Sequence, residues 1–202
     1  IFFNLGLLGF FKYLNFFIVN FKSAFTFFGY PLDISSLDII LPVGISFYTF
    51  QSLSYGIDVY RRKLEPTNDV IAFLAFVSFF PQLVAGPIER ATHLLPQFSS
   101  KRYFNYEKAA DGMRLILWGF FKKIVIADNA AVYVNDIFAH YTNYSGGTLI
   151  LGAVLFSFQI YCDFSGYSDI AIGLSRLFGF DLMRNFKYPY FSRNVAEFWQ
   201  KW

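Results

Sequence analysis

The chain has 202 residues, of which 55% are hydrophobic and only 15% are charged, and its mean hydropathy is +0.41. Soluble domains carry about a quarter charged residues, so this composition excludes an ordinary water-soluble domain. The net charge of +3 comes from short, scattered basic clusters, which excludes the broad basic face of a nucleic-acid-binding protein. We therefore expect an all-α bundle of helices in a lipid bilayer, without a nucleic-acid partner.

Long stretches with little or no charge predict four membrane-embedded segments, at 1–21, 39–60, 70–86 and 148–163. Two of them overlap uncharged windows of 19 residues, 39–57 and 70–88, which as helices are about 28 Å long and match the hydrocarbon thickness of a bilayer. Ile1 is not a start residue, and the aromatic helix pattern near Trp202 is unfinished. We expect a single partial domain over 1–202, continued at both ends in a longer polytopic protein.

The connecting parts of the chain are more polar. Residues 86–108 contain prolines and basic residues and predict a polar connection, whereas 106–140 has helical character around the pair Lys122-Lys123. A charge at mid-bilayer costs about 2.5–3.5 kcal/mol on insertion scales, so this helix is expected against protein or in the interface. The apolar run 170–180 is too short to cross a bilayer and predicts the end of a broken or re-entrant helix. Basic residues follow both the second and the third predicted span, so the orientation is left open.

The most unusual stretch is 159–169, which combines carboxylates, hydroxyls and an amide at the end of an apolar span. Such groups in lipid need partners, and they face either other helices or a cavity. The stretch therefore either joins helices by hydrogen bonds or lines a substrate path. Asp163 and Asp169 are about 240° apart on a continuous helix, so they can form an acid–base pair only if the chain breaks near Gly166.

Other polar positions predict structural roles. The cluster 46–52 is expected to hold helices together, with Pro42 and Gly44 loosening its helix, and 79–88 predicts a sharp turn that is either structural or pore-lining. His93 is expected in a polar loop and His140 at a helix end, and we find no motif partner for either. No metal-ligating pattern or cofactor-binding motif is predicted.

Several segments resemble the membrane-bound O-acyltransferase (MBOAT) family, and within it the bacterial alginate O-acetyltransferase branch, with the D-alanyl teichoic acid transferases close by. They are 41–51 (LPVGISFYTFQ), 57–61, 79–88, 119–128, 159–173, 185–190 and 197–202 (EFWQKW). The resemblance implies acyl transfer, by the full-length protein, from a cytoplasmic thioester donor to a hydroxyl of an exported polysaccharide, as in alginate biosynthesis.

The resemblance also implies a multi-pass protein of the bacterial cytoplasmic (inner) membrane with no bound cofactor. The donor would be acetyl-CoA or an acyl carrier, and a periplasmic acyltransferase would be a partner. The family's histidines would follow Trp202, so the chain alone is expected to be inactive. Residues expected along the substrate path or at its mouth are Gln159, Tyr161, Asp163, Ser165, Ser168, Asp169, Trp199 and Trp202. The alternative is a transporter or acyl-group exporter that uses Asp163 and Asp169 as coupling carboxylates.

Overall fold

The computed structural model describes residues 1–30, 32, 34–83, 86, 87 and 89–202, and every regular element in these ranges is helical, which confirms the all-α class. The α-helices of these ranges are α1 (Phe2–Leu8), α2 (Leu14–Phe27), α3 (Ile45–Tyr60), α4 (Val70–Val77), α5 (Ala91–Ser99), α6 (Tyr106–Phe120), α7 (Asp128–Ala139), α8 (Gly146–Leu177) and α9 (Val195–Lys201). Contacts divide the chain into two compact units, Ile1–Ser78 with Arg90–Thr92 and Phe79–Glu89 with His93–Trp202. The single domain over 1–202 stays a prediction.

The first unit begins with a long apolar helix in which a π-helical turn over Gly9–Tyr13 joins α1 to α2. The stretch Phe2–Phe27 is long and apolar enough to cross a bilayer, in agreement with the span predicted at 1–21. Lys12, the charge inside that span, donates a hydrogen bond to Ser46 Oγ at 2.8 Å. Its ammonium group is therefore bound by another helix of the same unit.

The second predicted span forms a shorter helix than expected. Within 39–60, α3 begins at Ile45, because Gly44 takes the left-handed conformation (φ 76°) that ends the preceding turn. Pro42 and Gly44 therefore precede the helix, and the prediction that they loosen it from within is wrong. The Gln51 amide donates to the Phe76 carbonyl oxygen at 3.2 Å, which supports the predicted structural role of 46–52.

The third predicted span is interrupted. Helix α4 ends at Val77, and a 3₁₀ turn over Phe80–Gln82 follows, so 70–86 is not one spanning helix. A Cβ added at Gly86 would lie 2.4 Å from Gln82 Cα, so the chain folds back tightly here and favours the structural interpretation of 79–88. Val84, Ala85 and Ile88 of this segment lie outside the described residues.

The second unit contains the helix predicted over 106–140. It consists of α6, a π-helical turn over Phe121–Ala127, and α7. The preceding segment 86–108, predicted as a polar connection, contains helix α5 with Pro96 inside it. Its helical turns were missed because the prolines and polar residues there mask a short amphipathic pattern.

Helix α8 has 32 residues and is therefore about 48 Å long. It includes the span predicted at 148–163 and is apolar enough to cross a bilayer. It continues through Gly166, so the broken or re-entrant helix predicted at 170–180 is wrong. The uninterrupted helix also directs Asp163 and Asp169 to different sides, which excludes their pairing as acid and base.

Helices α6 and α8 pack with their backbones in contact at two glycine pairs. A Cβ on Gly119 would lie 2.5 Å from Gly166 O, and one on Gly112 would lie 2.6 Å from Gly173 O. The pairs are one heptad apart on each helix and run in opposite directions, so the helices are antiparallel. Small residues at such contacts let membrane helices approach closely, and this packing brings the start of the π turn onto α8.

Candidate functional site

A cavity of about 540 Å³ lies between α6, the π turn, α8 and the irregular segment that follows α8. Its walls combine aromatic and aliphatic rings and chains with charged and hydroxyl groups. They are formed by Leu115, Trp118, Lys122, Tyr161, Ser165, Ser168, Asp169, Ile172 and the wall segment 184–188. Every one of these residues belongs to the second unit.

Lys122 is the charged centre of the cavity floor. It is buried, and its Nζ lies 2.7 Å from Asp169 Oδ2 and donates to Ser165 Oγ at 3.0 Å. A buried ammonium group must be paired because its desolvation costs several kcal/mol. Lys122 follows Gly119 by three residues and so lies on the same face of its helix. The contact between Gly119 and Gly166 therefore places this basic residue of an apolar helix against two polar groups of α8.

Ser168 is a second polar group in the wall. It is 1% exposed, and its Oγ has no hydrogen-bond partner among the described residues. A buried hydroxyl without a partner costs about 1–3 kcal/mol, and it is available to a bound molecule. Arg184 and Lys187 of the wall segment are exposed, with no side-chain ion pair in the described part of the chain. The cavity therefore offers an unpaired hydroxyl beside an excess of positive charge.

A neighbouring ion pair lies outside the cavity lining. Lys123 Nζ contacts Asp163 Oδ1 at 2.6 Å and Asp128 Oδ1 at 2.7 Å, and all three side chains are 41–54% exposed. Two adjacent lysines thus have different surroundings, one buried in the cavity floor and one on the surface of the unit. Asp163 and Asp169, the two carboxylates of the transporter alternative, are thus each ion-paired with a different lysine.

Half of the predicted path residues line the cavity. They are Tyr161, Ser165, Ser168 and Asp169. The other half lies elsewhere: Gln159, Asp163, Trp199 and Trp202.

These other positions differ in their surroundings. The Gln159 Oε1 atom is buried without a partner among the described residues, but it is outside the cavity lining. Trp202 packs against two residues that line the cavity, with its ring centroid 5.1 Å from that of Phe186 and 6.3 Å from that of Tyr161. Trp199 is 66% exposed and packs on Phe198.

The sequence did not predict the other lining residues, which are Leu115, Trp118, Lys122, Ile172 and the wall segment 184–188. The pair Lys122-Lys123 predicts only that its helix avoids the middle of the bilayer. Charge complementarity could have indicated Lys122, because two basic residues on one apolar helix and two acidic residues on another can neutralise each other in lipid. The wall segment has no periodic pattern and could not be assigned in this way.

The two histidines contact carboxylates that the sequence analysis did not pair with them. His93 lies in α5 and not in a loop, and its Nδ1 is 2.8 Å from Glu89 Oε2, four residues earlier. Burial raises the pKa of Glu89, although hydrogen bonds from Met183 and His93 act in the opposite direction. His140 is the exposed residue that ends α7, as predicted. Neither histidine lines the cavity.

Two helices of the described residues are long and apolar enough to cross a bilayer, which is consistent with a helical membrane protein. Residues 67–202 match the membrane-bound O-acyltransferase family, and the chain belongs to that family.

Three relatives illustrate its range. The chain is 44% identical over 199 residues to the probable alginate O-acetylase AlgI of Pseudomonas putida, with 98% of this chain and 40% of that relative covered. It is 37% identical over 225 residues to the peptidoglycan O-acetyltransferase of Helicobacter pylori, covering 98% and 42%. It is 28% identical over 173 residues to the teichoic acid D-alanyltransferase of Bacillus subtilis, covering 82% and 42%. The chain thus spans about two-fifths of the length of these curated relatives.

Proposed function

We propose that the full-length protein is an O-acetyltransferase of the bacterial cytoplasmic membrane. It moves an acetyl group from a thioester donor, acetyl-CoA or an acyl carrier, to a hydroxyl of an exported polysaccharide. The acceptor oxygen attacks the thioester carbonyl, its proton passes to a general base, and the thiolate leaves. Its multi-pass position in the bilayer and a periplasmic acyltransferase partner are parts of the same proposal.

The observation that carries the proposal is the cavity within the family-matched region, where a buried, unpartnered hydroxyl lies beside positive charge. Arg184 and Lys187 suit the phosphates of a CoA-type donor, because basic groups bind phosphate by charge-assisted hydrogen bonds. The apolar walls around Lys122 and Asp169 exclude water, which limits hydrolysis of the thioester. The cavity thus has a charged end for a donor and an apolar part for the acyl group.

We place the general base of this reaction outside residues 1–202. A base must approach the acceptor hydroxyl to about 2.6–3.2 Å, and neither histidine of the chain lines the cavity. His93 is bound to Glu89, and His140 ends α7 next to Asp136. In this proposal the cavity described here supplies the walls and the charges, and another part of the protein supplies the proton acceptor.

Replacing Ser168 by alanine in the full-length protein tests the assignment of the cavity. The variant removes a hydroxyl without a protein partner, so its membrane abundance should stay normal while acetyl transfer falls about fivefold, the effect of one hydrogen bond. The measurement is transfer of labelled acetyl from acetyl-CoA to the polymer in membrane vesicles. Ser157→Ala is the matched control, because that hydroxyl on the same helix bonds only to the Ala153 carbonyl oxygen. Equal transfer by the two variants would contradict the proposed site.

A further inference from the structure

A second polar cluster of this unit connects α5 to the wall of the cavity. Glu89 is 2% exposed, and one of its carboxylate oxygens accepts a hydrogen bond from the Met183 backbone N–H. Its other oxygen lies 2.8 Å from His93 Nδ1. Met183 immediately precedes Arg184, the first residue of the wall segment. The buried carboxyl group therefore binds the backbone where this wall begins.

Gln97 binds the backbone separately at Asp181, two residues before Met183. Its Nε2 donates to the Asp181 carbonyl oxygen at 2.9 Å, and its Oε1 accepts from the Asp181 N–H at 2.9 Å. Residues 181–186 form neither helix nor strand, so regular secondary structure does not fix their position. Side chains of 89–97 therefore satisfy three backbone groups at the entry to the wall segment.

We propose that Glu89 and Gln97 are positioning residues of the cavity. They hold the backbone at 181–183, and through it they set where Arg184 and Lys187 stand relative to α8. Only the activity measurement for this role rests on the proposed function. The hydrogen bonds to the backbone can be tested by hydrogen exchange without any assumption about activity. His93 supports Glu89 and does not touch the wall.

The conservative variant follows from the surroundings of Glu89. Burial raises the pKa of its carboxyl group, so a neutral amide of the same shape is a close substitute. Glu89→Gln keeps an oxygen that accepts from the Met183 N–H, whereas Glu89→Ala removes the acceptor. Comparing the two variants tests whether an oxygen acceptor of this shape is sufficient without the negative charge.

The experiment uses the full-length protein in detergent or nanodiscs and combines two measurements. In hydrogen–deuterium exchange, Glu89→Ala should accelerate exchange in residues 181–188 at least tenfold and leave α8 unchanged. In acetyl transfer at varied acetyl-CoA, the same variant should raise KM at least fivefold with kcat within twofold. In Glu89→Gln, the exchange rate of 181–188 and the KM for acetyl-CoA should both be close to the wild-type values. Glu107→Ala is the control, since Glu107 is exposed and makes no ion pair in the described ranges.

Two results would overturn the inference. Unchanged exchange at 181–188 in Glu89→Ala would show that the carboxyl group does not hold the wall. Faster exchange with an unchanged KM would show that the position of the wall does not matter for the substrate. If Glu89→Ala does not fold, Gln97→Ala gives a parallel test because it removes the two hydrogen bonds to Asp181, together with one to the His93 carbonyl oxygen inside α5. If the wild type transfers no acetyl, the proposed function fails, and the exchange measurement still decides whether the attachment exists.

Discussion

The long helices Phe2–Phe27 and α8 are both apolar enough to cross a bilayer, yet their surfaces differ. In the first, Leu8 is the buried residue, and a Cβ added at Gly6 or Gly9 would meet open space. Helix α8 buries nine residues, and all but Gly152 lie from Cys162 onward. Hydropathy therefore identifies both helices as suited to a bilayer, but only small residues and paired charges identify the half-helix that forms a site.

The largest effect is expected at the buried lysine of the cavity floor. Lys122→Met leaves Asp169 and Ser165 without their partner, and an unpaired, mostly buried carboxylate costs about 3 kcal/mol or more. Lys123→Met removes the exposed pair and should cost about 1 kcal/mol or less. Thermal unfolding of the purified full-length variants measures both.

The double variant Lys122→Met/Asp169→Leu serves as the control for this comparison. It removes both charges together and should recover part of the lost stability. Equal destabilisation by the two single lysine variants would refute the contrast between the buried and the exposed ion pair.

Backbone contact between helices α6 and α8 should give the next largest effect. A Cβ on Gly119 would lie 2.5 Å from Gly166 O, so Gly119→Ala must separate the helices and should cost about 1–3 kcal/mol. Gly6→Ala, where the space is open, should change stability by about 0.5 kcal/mol or less. The same thermal measurement applies to both, and a harmless Gly119→Ala would mean that the helices are further apart than described.

The two aspartates of α8 should differ in their effect on acetyl transfer. Asp169→Asn weakens the ion pair in the cavity and should lower transfer at least tenfold, about 1.4 kcal/mol. Asp163 lies outside the cavity lining, so Asp163→Asn should stay within about threefold of wild type, a difference under 1 kcal/mol. Incorporation of labelled acetyl, normalised to membrane abundance, decides between them. A larger loss in Asp163→Asn would move the substrate path to the Lys123 side of the helix.

The smallest effect is expected at the end of α7. Hydrogen bonds from Tyr144 and His140 hold the pKa of Asp136 below its usual value, so their contribution is present at neutral pH and lost as the pH falls through the carboxyl range. Asp136 and His140 are exposed. His140→Ala should leave transfer within about twofold and change thermal stability little at pH 7, because solvent screens an exposed pair. A strong loss of transfer at normal abundance would show that His140 has a direct role.

The sequence predicted the class of fold and four of the 13 residues that line the cavity, for identifiable reasons. The absence of charge is visible within a single stretch of sequence, and it predicts 1–21 and 148–163 as membrane segments. The motif at 159–169 contains four cavity residues, because polar groups in an apolar helix need partners that only a tertiary structure supplies. Which side each group faces depends on whether the helix continues through Gly166, and the glycine suggested a break. In the structure this glycine is instead the point where α6 approaches.

Other features depended on contacts distant in sequence. Glu89 and Met183 are 94 residues apart, and neither carries a local pattern that indicates the other. Lys122 faces Asp169 because it shares a helix face with Gly119, and hydropathy does not predict that this face packs against α8. The shorter α3 and interrupted α4 also follow from backbone geometry at Gly44 and at Phe79–Gln82, where the residues remain as apolar as those of a continuous span.

The glycine contacts between α6 and α8 also bear on the route by which molecules enter the cavity. Where two helix backbones touch, as at Gly112–Gly173 and Gly119–Gly166, no gap remains for a lipid chain or a polar solute. This line of backbone contact closes the space between α6 and α8 over two turns of each helix. Because the backbones touch without side chains between them, water and polar solutes cannot pass between these helices, and molecules must enter the cavity across a different boundary.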